Sequence, residues 1–140
     1  MSASDSKSVV RQFIEHAWIG KDVDAVLTYY APDFIYHSPA MEEMPPGLDG
    51  VRVLLAGFHA AFPDADYRID ALVGEEDLVA VLYSWSGTNR GALGPMPATE
   101  RSATATGAIF CRVANCRIVE QWDVDDRLSV MQQLGLVPAA

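Results

Sequence analysis

The feature that most constrains this chain is a change of hydrophobic period near its midpoint. Up to Phe62 the apolar residues recur at helical spacing, first Val9, Val10, Phe13, Ile14 and Ala17, then Val51, Leu54, Leu55, Phe58 and Phe62. From Tyr67 onward they fall into four strand-like runs, at 67–73, 78–87, 101–113 and 117–124, with turn signals at 74–77, 91–97 and 114–115 between them. Helices followed by consecutive strands predict an α+β fold, with a meandering, mainly antiparallel sheet and helices packed on one face. No internal repeat or linker breaks the pattern, so 1–140 reads as a single domain, long enough to bury one core.

Local signals refine this outline. Ser4 and Ser6 are candidate caps of the first helix and Gly20 its stop. Asp22 is the expected N-cap of a second helix over 23–30, closed by Pro32, after which 34–37 read as a short strand. Residues 38–50 hold three prolines and two glycines and read as a loop long enough to act as a lid. Asp49 or Gly50 begins the third helix, which Pro63 ends. The stretch 117–135, RIVEQWDVDDRLSVMQQLG, is a strand, an acidic corner at 123–126 and a short final helix stopped by Gly135 and Pro138. On that strand Ile118, Glu120, Trp122 and Val124 share one parity, and Val119, Gln121 and Asp123 the other. An acid that ends a strand among apolar neighbours can carry a raised pKa at a cavity mouth. The plainer reading of Asp125 or Asp126 is an N-cap of the final helix.

The composition excludes several classes. The net charge is −9, from 19 acids against 10 bases, which disfavours nucleic acid and anionic membranes as partners. Residues 1–8 lack an apolar signal segment and no run is long enough to span a bilayer, so the expected location is the cytoplasm. Cys111 and Cys116 flank the turn at 114–115. A two-residue hairpin there would set Cys111 opposite Ile118, so no disulfide is expected, and a four-ligand zinc set is missing. The run GALGPMP at 91–97 lacks the lysine of a phosphate loop.

Three ordered stretches carry a family resemblance: YAPDFIYHSP at 30–39, AAFPD at 60–64, and IVEQW at 118–122 followed by Asp126 and QLG at 133–135. Together they resemble the SnoaL-like polyketide cyclases of the nuclear transport factor 2 superfamily. The resemblance extends over nearly the whole chain, including Gly87-Thr88, the corner at 94–97 and Arg112-Val113. It implies a cone-shaped α+β barrel whose curved sheet wraps a mostly apolar pocket, and homodimers. It also implies an intramolecular aldol ring closure without metal or cofactor. The family's acid/base aspartate matches Asp126, four residues after Trp122, and its pocket histidine matches His37. This chain departs from the family at Asn89, where Gly-Thr-His is usual, at 97–100, and at Asn115-Cys116, where Asp-Gly is common. The steroid isomerases of the superfamily carry their base where this chain has Ser38, and their first-helix tyrosine has no match near Phe13-Ile14. Their mechanism is therefore disfavoured.

Aldol cyclisation removes a proton from carbon between two carbonyls, which one carboxylate can do if an apolar pocket lifts its pKa. The pocket must also fold the substrate, and a donor at the enolate oxygen helps further. The expected roles follow. Asp126 is the base and Asp125 the helix cap, while Asp123 points away from Trp122 and is held in reserve in case the strand bulges. His37 polarises a carbonyl or shares a proton with Asp126. Tyr36, Trp85, Phe110 and Trp122 are pocket walls, and Glu120 lies beside them, paired with Arg112 or Arg101. Each has a plainer alternative: capping for Asp126, a satisfied strand-end histidine for His37, core packing for the aromatics. The expected ligand is an apolar, carbonyl-rich small molecule, and a homodimer is expected through the exposed sheet face. One alternative is a module that binds a small molecule or dimerises without chemistry. Another is an epoxide hydrolase or hydratase, for which Glu120 and Asp126 would supply the carboxylate pair.

Overall fold

The computed structural model describes residues 2–37 and 47–138, so the expected lid falls largely outside the described residues. Helix α1 (Ala3–Phe13) starts at Ser2, whose hydroxyl accepts the Asp5 N–H while the Asp5 carboxylate accepts the Ser2 N–H. This reciprocal cap lies two residues before the expected Ser4, and Ser6 is buried instead. The helix widens into a π-helical segment, Ile14–Ile19, and ends at Gly20. Asp22 caps a 3-10 turn, Val23–Ala25, which leads into the single turn of α2 (Val26–Tyr29). Strand β1 (Tyr30–His37) then begins four residues earlier than expected. Pro32 lies inside it rather than closing a helix. The register of β1 shifts between Tyr30 and Ile35, and a proline is tolerated in such an edge irregularity because no ladder donor is required there.

Helix α3 (Gly47–Ala61) buries Val51, Leu55 and Ala61. Strands β2 (Asp66–Glu75), β3 (Leu78–Thr88), β4 (Ser102–Ala114) and β5 (Arg117–Asp125) follow, and α4 (Arg127–Gln133) closes the described chain. The sheet order is β1-β5-β4-β3-β2, antiparallel except for the parallel pair β1/β5. This is the expected α+β fold with helices on a mainly antiparallel sheet. Among the described residues the five strands form an open sheet with β1 and β2 at its edges, and the helices complete a wall that a closed barrel would make with strands.

Two features of the β4/β5 hairpin set the rest. The turn is Asn115-Cys116, one residue later than expected, with φ of 51° and 60° at its two central positions. The ladder runs Val113 to Ile118 and then Arg112 to Glu120, which leaves Val119 as an extra residue, a β-bulge. Beyond the bulge Cys111 faces Gln121, not Ile118, and Ile109 faces Asp123. Val113, Cys111 and Ile109 all point into the core, so Ile118, Gln121 and Asp123 share the inner face. Glu120 and Trp122, paired with Arg112 and Phe110, take the outer face. Between the inner face and α1, α2 and α3 lies the main core, with Val10, Phe13, Tyr30, Leu55, Val79 and Ile118 fully buried. A second cluster, with Phe62, Tyr67, Trp85 and Leu134, joins the end of α3 to α4. Among the described residues no helix is long and apolar enough to cross a membrane.

Candidate active site

Between the two clusters a cavity of ≈ 480 Å³ opens on the inner sheet face, a size that suits one small organic ligand. The π-helical segment of α1, helix α3, the 92–96 loop and α4 close it. Its walls are mostly apolar, with Trp18, Phe58, Phe62, Tyr67, Trp85 and Met131 prominent. Set into this surface is the carboxyl of Asp123, delivered inward by the bulge in β5.

Asp123 is held from two sides. The Tyr36 hydroxyl donates to Oδ2, and Gln121 Nε2 donates to Oδ1 at 2.8 Å. Gln121 is itself oriented, because its Oε1 accepts the buried Tyr30 hydroxyl and the Cys111 thiol, the latter at 3.7 Å. Desolvation pushes the Asp123 pKa up to about 6, and Asp125 adds to the rise, against the lowering effect of the Tyr36 and Gln121 hydrogen bonds and of Arg127. Burial, followed by the Asp123 charge, raises the Tyr36 phenol well above its ordinary value, so Tyr36 stays a neutral donor. Asp125 lies on the same face at the strand end and meets Arg127 Nε at 3.3 Å. Among the described residues no group of three or more His, Cys, Asp or Glu is arranged to hold a metal ion.

The expected site residues divide between the two faces. Asp126 borders the cavity, but it is exposed and caps α4, accepting the Ser129 N–H at 3.1 Å. The placements expected of Asp123, Asp125 and Asp126 are thus corrected: Asp126 is the cap, Asp125 is bound to Arg127, and Asp123 is the enclosed carboxyl. The physical reason is the bulge, which puts Ile118 on the face opposite Trp122. His37 is on the outer face, stacked on Trp122 with ring centroids 5.1 Å apart, and its Nε2 lies 2.8 Å from Glu120 Oε2. It does not meet Asp126. Glu120 also faces Arg112 at 3.7 Å, the pairing expected of it, and Arg112 reaches Asp77 at 3.0 Å. Phe110 and Trp122 line no part of the cavity, being outward, and Glu120 is separated by the sheet from Asp126 as a partner for epoxide opening. Trp85 is a cavity wall as expected, and Tyr36 reaches the site through its hydroxyl. Asn89, at the position of the missing family histidine, is fully buried. It clasps the 89–101 loop through bonds to Ala61 O, Gly91 O and both the N–H and the hydroxyl of Thr99.

Sequence reasoning missed Gln121, Tyr83 and the primary role of Asp123. The available signal was in β4, whose apolar parity at Ile109, Cys111 and Val113 marks the inner face without ambiguity. Two polar residues opposite Ile109 and Cys111 would have stood out once the turn was set at Asn115-Cys116 and the bulge allowed for.

Residues 8–134 match the SnoaL-like polyketide cyclases, and the chain belongs to that family. Solved structures share its fold. AclR from Streptomyces galilaeus, a provisionally assigned hydroxylase, superposes with a TM-score of 0.85 at 24% identity, over 99% of this chain and 86% of its own. A provisionally assigned polyketide cyclase from Acidithiobacillus ferrooxidans gives 0.79 at 27% identity, over 97% and 99%. IdmH from Streptomyces antibioticus, likewise provisionally assigned as a polyketide cyclase, gives 0.76 at 29% identity, over 92% and 98%. No curated protein matches the chain.

Proposed function

We propose that this protein closes a ring in an apolar, carbonyl-rich small molecule by aldol chemistry, with Asp123 as the general acid/base. The observation that carries the reading is the Asp123 carboxyl, set in an apolar cavity with its pKa raised to about 6. Such a group is ionised at neutral pH yet basic enough to take a proton from carbon flanked by two carbonyls. The proton passes from the substrate carbon to Asp123, and the resulting enolate carbon attacks a second carbonyl of the same molecule. A C–C bond forms, the C=O electron pair moves to oxygen, and that oxygen takes the proton back from Asp123. The carboxylate is regenerated and nothing is oxidised or reduced. Tyr36 and Gln121 position the carboxylate, and the aromatic walls hold the chain folded so that its two carbons approach. Two solved structures, at 27% and 29% identity, are provisionally assigned as polyketide cyclases, which supports the ring-closing part of this reading.

The proposed protein partner is a second copy of the chain, docked through the outer sheet face. Ile35, Val73, Leu82, Phe110 and Val124 are exposed there, around the His37–Trp122 stack. Cationic Arg112 beside acidic Glu120 and Asp77 makes this patch able to complement itself across a two-fold axis.

The test uses 2-tetralone, a bicyclic ketone with an acidic C–H, and follows deuterium uptake at its C1 by proton NMR. The protein should accelerate the exchange, with a rate that rises through about pH 6. Asp123→Asn should lose at least about a hundredfold of the catalysed rate. Binding of 2-tetralone without exchange would leave only a binding module. Full activity in Asp123→Asn would remove Asp123 from the reaction.

A further inference from the structure

The base proposed above needs a hydrogen-bond donor at the oxygen that gains charge as the carbon loses its proton. The single hydroxyl proton of Tyr36 is not free for this, since it goes to the Asp123 carboxylate, and one N–H of the Gln121 amide is committed to the same carboxylate. Tyr83 on β3 is half-buried and lines the cavity, and among the described residues its hydroxyl has no hydrogen-bond partner.

The route of the Tyr83 side chain is fixed by a glycine. Tyr83 pairs with Gly107 on β4, and Gly107 pairs in turn with Asp125 on β5, two residues along the same face from Asp123. A Cβ at Gly107 would stand 2.6 Å from Tyr83 Cζ and closer still to its hydroxyl oxygen. The phenol therefore lies across β4, directly over Gly107, with its hydroxyl toward β5. Gly107 is buried in mid-strand and is not among the glycines of positive φ, so its backbone makes no demand for glycine. Glycine weakens a strand interior, and its use there marks a close approach. Here the approaching group is Tyr83. Burial raises the phenol above its ordinary pKa, and the charges of Asp123 and Asp125 raise it further, so it stays protonated wherever Asp123 titrates. It acts as a donor and does not surrender its proton.

We propose that Tyr83 is the hydrogen-bond donor to the substrate's developing enolate oxygen, and that Gly107 is a positioning residue that lets the phenol cross β4 to reach it. This rests on Asp123 as the base. It also narrows the substrate class: the ketone oxygen must lie on the β3/β4 side of the acidic carbon, with the apolar body against Phe58 and Trp85.

The experiment records the carbonyl stretch of 13C-labelled 2-tetralone bound to the protein, by difference infrared spectroscopy, together with the exchange rate at C1. In the wild type the stretch should be shifted to lower frequency than in a hydrocarbon solvent. Tyr83→Phe, which removes one oxygen atom, should abolish that shift and lower kcat for exchange about a hundredfold, with little change in KM. Gly107→Ala should move both readings the same way, and added to Tyr83→Phe it should leave the carbonyl frequency where the single variant put it. Asp123→Asn should keep the shift while losing exchange, so the two roles fail separately. A wild-type stretch with no shift, or a shift that survives Tyr83→Phe, overturns the assignment of Tyr83 whatever becomes of Asp123.

Discussion

Taking the Asp123 carboxylate out of water disfavours its charged form, and the hydrogen bonds from Tyr36 and Gln121 recover only part of that loss. Its pKa is about 6 in the fold against an ordinary 3.8, so over that interval the native state holds a proton the unfolded chain has released. The group's contribution to stability is complete below about pH 4 and is lost as pH rises through about 6. The shift corresponds to at most about 3 kcal/mol, discounted because the residue keeps some contact with the open cavity. Asp123→Asn cannot ionise. Urea unfolding should therefore show the wild type losing stability relative to Asp123→Asn between about pH 4 and pH 8, with most of the change near pH 5. Parallel curves over that range would mean that the carboxyl is solvated like any surface acid. The same residue shows why the inner face of β5 was not legible in the sequence. Parity set Asp123 opposite Trp122 correctly, but the bulk of Trp122 made its face look like the interior.

The elements were legible as far as their period reaches. Among the described residues α1, α3, α4 and all four later strands lie close to where the sequence pattern places them, because a buried stripe has to repeat at the element's own period, while the second helix shrinks to the single turn of α2. Their ends moved wherever a side chain competed for a backbone group. Ser2 with Asp5 pulled the start of α1 forward, and the irregular edge at Pro32 let β1 begin at Tyr30. The start of α4 depends on one side chain, the Asp126 carboxylate on the Ser129 N–H. Asp126→Ala should cost about 1 kcal/mol, whereas Asp126→Asn, which still caps, should cost only a few tenths. Thermal unfolding reads the difference. Both variants should exchange 2-tetralone within a few-fold of the wild type. A hundredfold loss in Asp126→Asn at unchanged stability would return the base to the position the family resemblance suggested.

At the scale of the whole molecule the sheet keeps its two faces apart. The inner face carries the cavity, and the outer face carries His37, Glu120, Trp122, Arg112 and Phe110 as one contiguous patch. The four expected pocket walls and Glu120 therefore separate into an inner pair, Tyr36 and Trp85, and an outer trio, Phe110, Trp122 and Glu120, which His37 joins. If the outer patch joins two copies, Phe110→Asp should convert a dimer to a monomer in sedimentation velocity, with an unchanged far-ultraviolet spectrum and unchanged exchange activity. A wild type that sediments as a monomer at tens of micromolar would sink the dimer. Because the cavity opens on the other face, activity in the monomeric variant is the expected accompaniment.

The amino-acid sequence by itself determined the order of helices and strands, the α+β class and the family, since each depends on local period, turn chemistry and ordered motifs. It also split the last strand into two sets of side chains. Which set faces inward was decided only in the folded sheet. A strand's side chains alternate with period two, so one extra residue reverses every assignment beyond it. Whether Val119 becomes that extra residue depends on how β5 settles against β4 on one side and β1 on the other, at positions distant in sequence. That tertiary choice put Asp123 in the cavity and His37 outside it. The clearance at Gly107 that admits Tyr83 likewise exists only once β3 and β4 are paired.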